Sequence, residues 1–209
     1  MRAVGRPAER EYVAHVDVRT LMRRSAVFHS QYRAVIEAGI GDRPTRTLTY
    51  AEAWGRGLRV ANGLLTLGLE AGDRIGVLED NTLESVDLFC GAAAANLVRV
   101  PLYPRNSREA HRHMLSRTGC RAVVVSASHA AALEGIEGDV DGLDHVLVRH
   151  DGPNGYESWL AAQSDTDPDP RVEEDDWFII RHTGGTTGAS KGVGYTHKTW
   201  LDAGRDWFY

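Results

Sequence analysis

Thr183-Gly-Gly-Thr-Thr-Gly-Ala-Ser-Lys191-Gly192 is the stretch on which the reading of this chain turns. Three glycines and three threonines fall within six residues, and a lysine follows. Without a Cβ, glycine lets the backbone approach an anion closely and take φ > 0, so that successive N–H groups can converge on phosphate oxygens. Threonine hydroxyls add donors, and Lys191 adds a mobile positive charge. The same composition would also serve a flexible connector. The flanks favour a loop held by a sheet. Residues 177–181 (WFIIR) read as a strand leading into it, 193–196 as a short strand leaving it, and 200–207 as the start of a helix.

Two familiar phosphate loops are excluded by position. The pattern GxxxxGK[ST] fails twice, because Ser190 precedes Lys191 and Gly192 stands where a Mg²⁺-binding hydroxyl would be needed. GxGxxG fails as well: the glycines fall at 184, 185 and 188, and the loop opens onto a strand rather than a helix.

Upstream, strands and helices alternate. Residues 1–16 read as a loosely held arm, after which Asp17 caps a helix with Val18, Leu21, Met22, Val27 and Phe28 on one face. Residues 33–37 (RAVIE) and 45–50 (TRTLTY) form a hairpin. Thr49 then caps a helix through a capping box with Glu52, and its apolar stripe runs through Trp54, Leu58, Ala61 and Leu65. Short apolar strands follow at 74–78, 98–102, 122–125 and 145–148. Between them lie helices capped by Asn81 or Thr82 and by Ser107, and a further helix in the alanine-rich segment around Ala130. This alternation predicts an α/β fold with a mostly parallel sheet covered on both faces. The tract 165–176 (DTDPDPRVEEDD), with two prolines, reads as a solvated surface linker rather than a metal site.

Composition narrows the function. The 209 residues are 42% hydrophobic and 25% charged, with a net charge of −5 and both signs mixed along the chain. That balance suits a soluble globular domain and argues against a nucleic-acid binder, which needs a basic face. Cys90 and Cys120 lack CxxC spacing and read as buried reduced thiols. With no signal-peptide pattern and no apolar run long enough to span a bilayer, the expected location is the cytoplasm. His111 and His113, two apart on a helix, point to different faces and make a poor metal pair. His182 and the pair Trp177 and Phe178 read as packing residues.

The run from Thr183 to Val193, followed by Tyr195-Thr196-His197, resembles the phosphate-binding signature of the AMP-forming adenylating superfamily, which includes acyl-CoA synthetases, luciferases and the adenylation domains of peptide synthetases. Gly184 stands where that signature commonly has serine, and Ser190 where it commonly has proline. Residues 47–52 (TLTYAE) with 72–77 (GDRIGV), and 91–104 (GAAAANLVRVPLYP), are similar to the family's earlier motifs in the same order.

The resemblance implies that 17–209 is the first part of the large N-terminal adenylation domain, with the family's later motifs and its small C-terminal domain absent. It implies ATP, a carboxylic acid and coenzyme A as ligands, and Mg²⁺ held by residues beyond this stretch. The activity implied is formation of an acyl-adenylate and pyrophosphate, then of a thioester. Thr183, Gly184, Gly185, Thr186, Thr187, Gly188 and Lys191 would grip the ATP phosphates; His197 either lies in the neighbourhood of substrate or nucleotide or takes a helix-capping or solvent-facing role. The alternative is a non-catalytic remnant that at most binds nucleotide or a partner chain.

Overall fold

A computed structural model describes residues 16–39, 41, 44–183 and 190–206. Helix α1 (Val18–Phe28) opens the described chain, with the Asp17 carboxylate accepting the Thr20 N–H at 2.7 Å. Strands β1 (Arg33–Glu37) and β2 (Arg46–Thr49) pair antiparallel as a separate two-stranded sheet. Helix α2 (Tyr50–Leu65) begins with both halves of the capping box in place: Thr49 Oγ1 accepts the Glu52 N–H, and Glu52 accepts the Thr49 N–H.

The main body follows as β3 (Arg74–Leu78), α3 (Leu83–Ala94), β4 (Val98–Pro101), α4 (Arg108–Thr118), β5 (Cys120–Ser126), β6 (His145–Arg149), α5 (Tyr156–Ala161), β7 (Trp177–His182), β8 (Gly192–Thr196) and α6 (His197–Asp206). Six of these strands form one sheet in the order β6-β5-β3-β4-β7-β8, parallel throughout except for the antiparallel β7–β8 pair.

Alternation along the interior strands feeds a core on each face. Ile75, Val77, Ala122 and Val124 meet α2, α3 and α5 through Leu58, Ala61, Leu64, Leu88 and Leu160. Leu78, Val123 and Val125 meet Met114 and Leu115 of α4 on the other face, with Leu133 and Ile136 beyond them. Gly76 leaves room for the second contact, since a Cβ there would lie 2.6 Å from Leu115 Cδ2 and 3.1 Å from Val123 Cγ2. Two-sided burial is what reading these strands as short unbroken apolar runs predicts.

Three expectations are corrected. The segment around Ala130 forms 3₁₀ turns, Ala127–Leu133 and Ile136–Gly138, rather than an α-helix. Leu21, Val27 and Phe28 are exposed despite lying on the apolar stripe predicted for α1. Trp177 is 54% exposed, while its neighbour Phe178 is fully buried, because strand alternation sends the two rings to opposite faces. The acidic tract 165–176 contains no helix or strand, yet it is tied down: Asp167 and Asp169 pair with Arg19, Asp165 pairs with Arg59, and Asp176 accepts from Asn96.

Candidate functional site

Because β7 runs parallel to β3 and β4, it delivers Thr183 to the carboxyl end of the sheet, and β8 carries the chain back antiparallel. Ligand sites of open α/β sheets lie on that side. The neck of the turn is closed by hydrogen bonds. Thr183 N–H donates to Lys191 O at 2.9 Å, Lys191 N–H donates to Thr183 Oγ1 at 3.3 Å, and Ser190 Oγ donates to Thr183 O at 2.6 Å. Thr183 and Lys191, eight residues apart in sequence, are thus brought together. Gly184, Gly185, Thr186, Thr187 and Gly188 lie outside the described residues.

Two residues of the β4–α4 region hold the neck. Tyr103, just past β4, donates its hydroxyl to His182 O at 2.9 Å, and His113 Nε2 on α4 sits 3.1 Å from Ser190 O. His182 is buried, and burial pushes its pKa down, with a smaller contribution from His113. His111 turns the other way, with Nε2 3.0 Å from Tyr103 O, so the two histidines of α4 do different work.

His197 is buried in the core with both ring nitrogens engaged. Nδ1 accepts the Val18 N–H at the start of α1 at 3.2 Å, and Nε2 lies 3.2 Å from Asn96 Oδ1. Its position joins α6 to α1 and to the turn before β4.

A group of charged residues passed over in the sequence lines a cavity of about 500 Å³ at the same carboxyl edge: Glu79 after β3, Arg99 on β4 and Arg181 on β7, with Tyr103 and Trp200. The Glu79 side chain is 97% buried, 3.4 Å from Arg149 Nε, and neither carboxylate oxygen has a hydrogen-bond partner among the described residues. Burial drives its pKa up to about 7 against the pull of Arg149 and Arg99. Arg99 is pushed down by burial, partly offset by Glu79. The available signal was a charge set within or directly after an apolar strand, in RIGVLE and VRVPL.

Among the described residues, no three His, Cys, Asp or Glu side chains converge to hold a metal ion. None of their helices is long and apolar enough to cross a membrane.

A mostly parallel sheet covered on both faces defines an α/β domain. The chain belongs to the AMP-binding enzyme family, whose model matches residues 22–208. It is 30% identical over 196 residues to the long-chain-fatty-acid–CoA ligase FadD13 of Mycobacterium tuberculosis, covering 90% of this chain and 36% of that one. It is 27% identical over 188 residues to the fatty acid–[acyl-carrier-protein] ligase ScoC of Streptomyces coeruleorubidus, covering 90% and 35%. The inhibitor-bound N-terminal domain of FACL13 from M. tuberculosis superposes with a TM-score of 0.80 at 26% identity, covering 91% of this chain and 47% of that domain. The chain spans about a third of the length of the curated relatives it matches.

Proposed function

We propose that this chain is the phosphate-gripping part of an ATP-dependent carboxylate-activating enzyme. The enzyme would join an acid to AMP with release of pyrophosphate and then pass the acyl group to coenzyme A. The observation that carries the reading is the neck formed by Thr183 and Lys191 at the carboxyl end of β7, with the Gly/Thr run strung between them.

The chemistry asked of such a loop is electrostatic. As the acid's carboxylate attacks the α-phosphorus, negative charge accumulates on the departing β- and γ-phosphates. Backbone N–H groups, the hydroxyls of Thr183, Thr186 and Thr187, and the Lys191 ammonium would stabilise it there. Mg²⁺, when bound, would neutralise phosphate charge; the described residues offer it no ligand cluster. The relatives' names favour a carboxylic acid, fatty in FadD13 and ScoC, with CoA or a carrier protein as acceptor.

The test is nucleotide affinity together with carboxylate-dependent ATP–pyrophosphate exchange. Lys191→Ala and Thr186→Ala are each expected to weaken ATP binding about tenfold, the scale of one charge-assisted contact. Unchanged affinity in both variants would remove the loop from the site. Exchange by the 209-residue chain alone would defeat a non-catalytic reading. No exchange alone, with activity returning when a longer downstream chain is supplied, would support the enzyme reading. No exchange in either case would favour a nucleotide-binding role without turnover.

A further inference from the structure

A groove of about 900 Å³ runs along the α4 side of β7 and β8, away from the Glu79 cavity. Its floor is Trp177, Ile180, Gly192 and Gly194, and its titratable lining is Arg74, His113, Arg117 and Lys191. Among the described residues no carboxylate lines it, although the chain as a whole carries a net charge of −5. Arg74 spends its donors on the carbonyls of Thr118, Gly72 and Gly119. Arg74, Arg117 and Lys191 form no ion pair among the described residues, in a chain where most other arginines do. Cations clustered without a counter-charge raise the local concentration of anions.

The groove is continuous with the neck of the loop. Lys191 and Ser190 belong to both, and His113 lies one helical turn before Arg117 while holding Ser190 O. Past Lys191 on this side the lining carries the further cations Arg74 and Arg117, with His113 beside Ser190. Gly192 and Gly194 keep the floor low: a Cβ at 194 would strike the Trp177 ring at 2.3 Å, and one at 192 would press on Ile180 at 3.0 Å.

We propose that this groove is a second anion subsite that takes inorganic pyrophosphate as it leaves the loop, with Arg117 as its principal contact and Lys191 as the hinge between the two positions. The proposal rests on the reading of 183–192 as a phosphate loop and adds to it a binding residue on α4, remote in sequence. Arg117 is exposed and ends a helix, so an ordinary role for it is to complement the α4 dipole. The two roles differ in what they move.

The experiment titrates the 209-residue chain with pyrophosphate by calorimetry at low and high salt, and records the melting temperature of each variant. Arg117→Gln is expected to weaken pyrophosphate about tenfold and to flatten the salt dependence, with Arg117→Lys recovering most of the affinity. Lys191→Ala weakens it in either case. Loss in Lys191→Ala with Arg117→Gln within twofold of the parent would overturn the subsite and leave the loop standing. A parent chain that binds neither ATP nor pyrophosphate would overturn both. A lower melting temperature for Arg117→Gln with unchanged pyrophosphate affinity would assign Arg117 to the helix dipole alone and overturn the proposal.

Discussion

Both ring nitrogens of His197 are committed, and the hydrogen-bond directions name its tautomer. Nδ1 accepts from the Val18 N–H, so the proton sits on Nε2 and points at Asn96 Oδ1. A second proton on Nδ1 would face the Val18 N–H at the positive end of α1. Burial lowers the His197 pKa below the ordinary 6.5, with Asp17 and Asp176 pulling it back in part. The sign follows from linkage. The unfolded ring binds its proton more readily than the folded one, so this contribution is complete above about pH 6.5 and is lost as pH falls through the folded pKa. His111 and His182, also lowered by burial, act in the same direction. Glu79, raised to about 7, acts in the opposite one. The comparison is therefore between parent and variant. His197→Gln is expected to cost about 1–3 kcal/mol at pH 8, as buried partners go unpaired. Its melting temperature should then fall less than the parent's between pH 7.5 and 5.5; parallel curves would show that folding leaves the His197 pKa unshifted.

At the scale of elements, α2 and α3 approach closely enough to reverse a propensity argument. A Cβ at Gly57 would lie 2.4 Å from Cys90 Cβ, and one at Gly91 would lie 2.4 Å from Val60 Cγ1. Gly55, two residues earlier on α2, has nothing within 4 Å of that position. Alanine is the better helix former by about 1 kcal/mol, so Gly55→Ala should stabilise by a fraction of that amount. Gly57→Ala should instead destabilise by about 1–3 kcal/mol, the usual cost of overpacking. Chemical denaturation of the two variants checks the pair, and equal signs would refute it. The same contrast explains what could be read without coordinates. Asp17, Thr49 and Ser107 were legible as caps because a cap is a contact three residues long. The crossing at Gly57 and Gly91 joins residues 34 apart, and nothing local marks it. Helix α5, six residues long, leaves no sequence signature because one and a half turns carry too little periodicity. The exposure of Trp177 was hidden because an exposed and a buried aromatic look alike in a strand.

Over the whole molecule, the strand order was not legible but the side on which the loop lies was. Alternating strands and helices imply a parallel sheet, and a parallel sheet places every loop that follows a strand at one edge, Thr183 included. Which strands neighbour which depends on long connections, and the placement of β5 and β6 on one side of β3, with β4, β7 and β8 on the other, has no local signature. One charge cluster binds the distant pieces. Arg56 on α2 donates to both Asp87 oxygens on α3 at 2.9 and 2.7 Å and to Glu157 on α5 at 2.9 and 2.6 Å, while Tyr156 donates to Asp87 at 3.1 Å. The Asp87 side chain is fully buried, and burial raises its pKa even with Arg56 in place. Arg56→Met should therefore cost about 3–5 kcal/mol by stranding that charge, and the double variant with Asp87→Leu should recover a substantial share. Urea unfolding at pH 8 measures both. A double variant no more stable than the single would show that the loss comes from packing of the Arg56 stem.

The hydrogen-bonded neck between Thr183 and Lys191 has a consequence for chain statistics. A segment whose two ends are already joined through the β7–β8 ladder has its end-to-end closure entropy met by folding, before any anion arrives. Each doubling of the segment's length would add only about 0.6 kcal/mol to that closure term. Polymer physics thus leaves the number of residues between 183 and 191 nearly free, so any strict requirement on their count must come from the shape of the bound anion rather than from the stability of the sheet.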